Sequence, residues 1–180
     1  MLECAQTLLV VIDIQDKLMP RQETVAEGLL ANSIKLIHTA HTLSIPIVVS
    51  EQNPEKLGGT NARVAEALRG AARIPKMEFG CFANPDFVES LEGHRRKQLL
   101  VIGMETHICV MQTVLAALEA GYEAYVVRDA VVSMERREYE AGLERMTRAG
   151  AVPVTTQMAL FELLRAAGTP EFRAMLPLLK

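Results

Sequence analysis

The stretch 99-LLVIGMETHICV-110 decides how this chain reads. It opens with Leu99, Leu100, Val101 and Ile102, an unbroken apolar run, and leads into a segment rich in Ala, Leu and Val that stops at Gly121. An apolar run without alternation is a strand covered on both faces, as in a parallel sheet. Cys109 therefore falls where a buried strand gives way to a helix. Unpaired N–H groups and the positive end of a helix dipole favour thiolate over thiol at such a place. That is the electrostatic setting of a nucleophile.

Similar runs lie to either side. Leu8 to Ile12 is bounded by Asp13, and Ile45 to Val49 has Pro46 near its start. Ala124 to Val127 follows, then Ala151 to Val154, which Pro153 marks as an edge or a strand end. Helical spacing fills the gaps: Val25 to Leu43, Ala62 to Leu68, Pro85 to Leu91 with Asn84 as its cap, and Cys109 to Ala120. Arg136 to Ala149, Thr156 to Ala167 and a short helix from Pro170 complete the pattern. Strand–helix alternation predicts a three-layer α/β fold, one domain over residues 1–180. The loosest region is Glu51 to Arg73. Its Gly58-Gly59-Thr60 suggests an anion nest, but the chain has neither a P-loop nor a GxGxxG, so a nucleotide site has little support.

The composition excludes several partners. A net charge of −3 offers no electrostatic grip on nucleic acid or on an anionic membrane. His94-Arg95-Arg96-Lys97 is the only dense basic run and reads as a solvated turn. No apolar stretch approaches the roughly 20 residues that a bilayer span needs. The first residues lack a basic flank and a cleavage site, so they are expected to form a strand and not a secretory signal. Cys4, Cys81 and Cys109 make an odd count without metal-like spacing. Free thiols and a reducing cytoplasm are the expectation. His38 and His41 stand three apart on a helix with no third ligand near, and read as a surface face. Neither a metal nor a cofactor is predicted.

In a parallel α/β sheet, ligands bind outside the C-terminal ends of the strands. Asp13, Cys109 and Lys76, the last within 74-IPKMEFGCF-82, map there or close by. Alone, each has a bland reading: a turn aspartate, a solvated lysine, a cysteine acting as a small core hydrophobe. Together they make chemical sense. A carboxylate can take the thiol proton, and a lysine beside both holds the carboxylate and favours the thiolate. Cys4 and Cys81 keep the core reading. His107 is too close to Cys109 in the chain to be assumed to face it.

These residues resemble a known family. The segments 10-VVIDIQ-15, 74-IPKMEFGCF-82 and 101-VIGMETHICV-110 look like the three motifs of isochorismatase-like cysteine hydrolases, in order and in spacing. The resemblance runs through nearly the whole chain. Ser50 to Thr60 and the tail from Ala167 are similar to the branch of isochorismatase domain proteins and YcaC-type hydrolases. The resemblance implies a six-stranded parallel sheet in a Rossmann-like sandwich. It implies Cys109 as nucleophile, Asp13 as general acid and base, and Lys76 as the cation between them. It implies an oxyanion hole from the backbone N–H groups of Glu105 and Cys109, and a cis peptide at Met104–Glu105. The Glu105 carboxylate should point away from the thiol. Metal-binding members carry Asp-x-His where this chain has Glu51, Gln52 and Asn53, so no metal is expected. Isochorismatases proper lack the cysteine, which argues against isochorismate.

The expected reaction is metal-independent hydrolysis of a small amide or carbamoyl-type substrate through a Cys109 thioester. Phe79 and Phe82 either wall the pocket or pack in the core. Gln52 either binds substrate or steadies its loop. The family also implies a homo-oligomer, a dimer or larger. A second reading is a thiol-bearing binding or redox-sensing protein with little turnover.

Overall fold

The structure is a computed structural model that describes residues 1–178, so the last two residues of the tail lie outside it. Strand β1 (Thr7–Ile12) leads to helix α1 (Glu23–Thr42) and strand β2 (Ile47–Gln52). Short helices α2 (Pro54–Leu57) and α3 (Ala62–Ala67) precede β3 (Arg73–Lys76). Helix α4 (Pro85–Gly93) leads to β4 (Gln98–Met104), a π-helical turn (Thr106–Val110) and α5 (Met111–Glu119). Then come β5 (Glu123–Val132), α6 (Arg136–Arg148), β6 (Val152–Val154), α7 (Thr156–Leu164) and α8 (Pro170–Met175).

The six strands form one sheet in the order β3-β2-β1-β4-β5-β6, and every pairing is parallel. The unbroken apolar runs follow from burial on both faces. Leu8, Val10 and Ile12 join Leu99 and Val101 in a core under α4, α5 and α6. Leu9 and Val11 join Leu100 and Ile102 in the other, under α1, α3, α7 and α8. Asn84 caps α4 by accepting from the Phe87 N–H at 3.1 Å, with Pro85 in the first turn.

Three elements differ from the sequence pattern. The extended piece around Pro75 is a true sixth strand, β3, and it tolerates the proline because it lies at the sheet edge. Strand β5 continues to Val132 past a shift in register that leaves Arg128 and Asp129 exposed. Helix α7 stops at Leu164, where Arg165 turns left-handed (φ +62°).

The strand order places the site. The chain builds outward from β1 to β3, then returns to β4 on the other side of β1. Segments leaving β1 and β4 diverge and open a crevice above the C-terminal ends of the two strands. Asp13 follows β1, and the turn bearing Cys109 follows β4.

Candidate active site

Register brings the polar residues together. Ile12 pairs with Ser50, and Gln52 pairs with Lys76, so Asp13, Ser50, Gln52 and Lys76 crowd the C-terminal ends of three adjacent strands. Asp13 has a left-handed backbone (φ +52°), a conformation that costs a non-glycine residue on the order of 1 kcal/mol or more and recurs at functional sites. Its carboxylate is fully buried. Oδ1 accepts from the Ser50 hydroxyl at 2.7 Å. Oδ2 lies 2.7 Å from the Lys76 ammonium but receives no well-directed hydrogen bond. The ammonium's donors serve Gln52 Oε1 at 2.6 Å and the carbonyls of Glu78 and Phe79 at 3.1 and 3.2 Å. Three N–H groups cannot aim at four oxygens at once. Burial pulls the Lys76 amine down, but Asp13 and the two nearby thiols Cys81 and Cys109 outweigh it and hold the amine above its ordinary value.

Gly103 lets the turn that bears Cys109 approach Asp13. It pairs with Ile12 in the sheet and adopts φ +138°. A Cβ there would collide with the Ile12 carbonyl oxygen. The Met104–Glu105 bond is trans, as are all peptide bonds among the described residues, which corrects the expected cis peptide. Gly103 and the π-helical turn redirect the chain instead.

The turn also changes the backbone hydrogen bonding. The Glu105 carbonyl accepts from the N–H groups of Ile108 and Val110 and skips Cys109. One residue of extra winding thus takes the Cys109 N–H off that carbonyl, a distortion that π turns often bring to functional sites. The Glu105 N–H makes no backbone hydrogen bond.

Cys109 is 5% exposed and close enough to Asp13 and Lys76 to feel both charges. Burial, then the Asp13 charge, pushes its thiol up to about 12, against a smaller opposing pull from Lys76. This reverses the expectation from the helix start alone. Desolvation and a neighbouring carboxylate outweigh the dipole, so the resting sulfur keeps its proton beside a charged base.

The remaining candidates sort clearly. Gln52 is buried with both ends engaged: Oε1 accepts from Lys76, and Nε2 donates to the Met77 carbonyl at 3.0 Å. It anchors the lysine and its loop. Phe79 lends its carbonyl to Lys76 while its ring stands 57% exposed. The Phe82 ring packs on Phe87 and Tyr122, the core role. Glu105 turns its carboxylate to the Met134 N–H at 3.3 Å and to His107 at 3.5 Å. His107 meets the Ser133 hydroxyl at 2.9 Å. Glu51 fills the anion nest with its own carboxylate, accepting from the Thr60 N–H and hydroxyl at 2.7 and 2.6 Å. Glu51 and Gln52 are thus both committed to partners within the protein.

Three polar residues escaped the sequence reading as site residues. Ser50 holds Asp13. Thr113 accepts from the Cys81 N–H at 3.0 Å and donates to the Cys109 carbonyl at 2.6 Å. Gln15, noted only as part of a motif, locks β2 by accepting from the Gln52 N–H at 2.7 Å and donating to the Gln52 carbonyl at 3.0 Å. Ser50 directly follows the apolar run that ends at Val49, and only strand register shows that it meets Asp13. A cavity of about 450 Å³ borders Lys76 and is lined with Asn53, Glu55, Met77 and Glu78. A groove of about 1300 Å³ lies elsewhere, between the start of α1 and the β5–α6 connection.

The family model for the isochorismatase domain matches residues 7–158, a span from β1 into α7 that includes the whole crevice. The chain belongs to the isochorismatase family. Among its relatives, a secreted isochorismatase effector of Phytophthora sojae is 35% identical over 150 residues, covering 81% of this chain and 71% of that protein. Isochorismatase family protein 1A of Dictyostelium discoideum is 30% identical over 179 residues, covering 96% and 85%. The MAR1 ribonuclease structure from Caenorhabditis elegans superposes with a TM-score of 0.89 at 29% identity, covering 98% and 91% of the two chains. YcaC from Pseudomonas aeruginosa, solved with hexane-2,5-diol and covalent acrylamide, gives 0.89 at 24% identity, covering 98% and 90%, and shares the fold. This isochorismatase-family chain is thus an isochorismatase-like hydrolase in family and architecture. No helix among its described residues is long and apolar enough to cross a membrane.

Proposed function

We propose that the chain is a metal-independent cysteine hydrolase of a small amide or carbamoyl-type substrate, with Cys109, Asp13 and Lys76 as its catalytic residues. The observation that carries this reading is the fully buried Asp13–Lys76 ion pair, 2.7 Å across, with the Cys109 thiol beside it. The Asp13 carboxylate is the acceptor for the thiol proton. As it takes that proton, Sγ attacks the substrate carbonyl carbon, and the N–H groups of Glu105 and Cys109 receive the oxyanion. Asp13 returns the proton to the leaving nitrogen, the C–N bond breaks, and a thioester remains. Water gives a proton to Asp13 and attacks the thioester. The C–S bond breaks, the acid departs, and Asp13 reprotonates the sulfur. Lys76 stays paired with the Asp13 carboxylate at 2.7 Å.

Acrylamide is a small neutral amide, and its covalent presence in the P. aeruginosa relative is in keeping with a pocket for such molecules. The Escherichia coli YcaC protein is an octameric hydrolase. That supports a homo-oligomer here too. A reducing, cytoplasmic setting suits two buried thiols in one site.

The test is a panel of small amides and carbamoyl compounds, scored by product release and by intact mass. We expect an acyl adduct on Cys109, and a loss of turnover in Cys109→Ala by roughly 10³-fold or more with the fold retained. Full activity in that variant would sink the assignment. Oxidised sulfur without any acyl adduct would favour thiol sensing instead.

A further inference from the structure

Cys81 lies fully buried behind the candidate site, and neither its packing nor the reaction above explains its contacts. Its thiol donates to the Ser50 hydroxyl at 3.6 Å, and that hydroxyl donates to Asp13 Oδ1 at 2.7 Å. Its backbone N–H donates to the Thr113 hydroxyl at 3.0 Å, which donates to the Cys109 carbonyl at 2.6 Å. One residue is therefore tied to the base by its side chain and to the nucleophile by its main chain. We infer that Cys81, through Ser50 and Thr113, is a positioning strut that fixes the separation of the Asp13 carboxylate from the Cys109 sulfur. The inference rests on the reading of Asp13 as base and Cys109 as nucleophile.

Each arm has a distinct effect. Ser50 holds Oδ1 at 2.7 Å and so restrains rotation of the carboxylate. Thr113 pins the carbonyl of the residue that bears the sulfur. A core cysteine would need only its volume. A strut needs its donors, so the two roles separate in the pH profile of Cys109 reactivity, which lost volume alone does not move.

The experiment alkylates the full chain with iodoacetamide across about pH 5 to 9, with peptide mapping to separate Cys109 from the buried Cys81. Ser50→Ala should slow Cys109 alkylation about tenfold, the scale of one hydrogen bond to a charged group. It should also move the acid limb of the profile to higher pH, and Ser50→Thr should restore both. Cys81→Ala should slow the reaction in the same direction. If Ser50→Ala does not fold, the near-isosteric Thr113→Val carries the test through the other arm. Wild-type rates and profiles in Cys81→Ala and in the folded Ser50→Ala or Thr113→Val variant would overturn the inference. Asp13→Asn separates the two claims. If it too alkylates at the wild-type rate, the base assignment fails. If it slows while the strut variants do not, only the strut fails.

Discussion

Asp13 holds its two carboxylate oxygens in different company: Oδ1 with a hydroxyl, Oδ2 with an ammonium. Each oxygen thus has a partner, and the buried charge is not left unpaired, which would be costly. The sulfur waits protonated, and this has a thermodynamic signature. Cys109, ordinarily at 9.0, is pushed by burial and then by Asp13 up to about 12. Above pH 9 an unfolded chain releases this proton while the folded chain keeps it. The unfolded state then binds fewer protons, so stability is fully present below pH 9 and falls as pH rises toward 12. Cys81, pushed by burial to about 11, adds a contribution of the same sign. Urea unfolding should show the stability of the wild type relative to Cys109→Ala dropping by roughly 2–3 kcal/mol between about pH 8 and 11. A difference that stays flat across that range would contradict the resting thiol.

The element that concentrates the chemistry is the π-helical turn after β4. Helix α6 packs so closely on it that a Cβ at Gly142 would lie 2.8 Å from His107 Cα. Neither backbone can give cheaply, so Gly142→Ala should displace the turn. We expect a stability cost of about 1–3 kcal/mol and a loss of Cys109 alkylation and turnover beyond what that cost explains. Activity falling only in step with stability would mean the turn is unmoved. The sequence made β1 and β4 plain, because β-branched and leucine runs without alternation have one reading when both faces are covered. It also placed Asp13 and Cys109 at strand ends. It could not mark β3 as a strand, since four residues around Pro75 carry no period of their own. Nor could it show the π winding, which differs from α by one residue over a single turn. Ser50 and Thr113 stayed hidden because their roles depend on strand register and on helix approach, which no local pattern encodes.

At the scale of the whole molecule, the sheet gathers a site from residues as far apart in the chain as Asp13 and Cys109. Met77 and Phe79 stand 66% and 57% exposed on the segment after Lys76, an apolar rim beside the crevice. Lys76, the ion-pair partner of Asp13, is carried on β3, a four-residue edge strand with a proline and a single neighbour, whereas Asp13 and Cys109 hang from β1 and β4 in the middle of the sheet. Edge elements open locally at lower free energy than central ones. The Asn53 N–H, which donates to the Lys76 carbonyl at 2.8 Å, should therefore exchange with deuterium far sooner than amides of β4. On warming, Cys109 reactivity should fade before circular dichroism reports any melting. Coincident loss would mean that β3 is as secure as the sheet centre. If the two separate, the working lifetime of this protein is set by the fraying of the edge that carries Lys76, and engineering for durability should begin at residues 73–76 and leave the core alone.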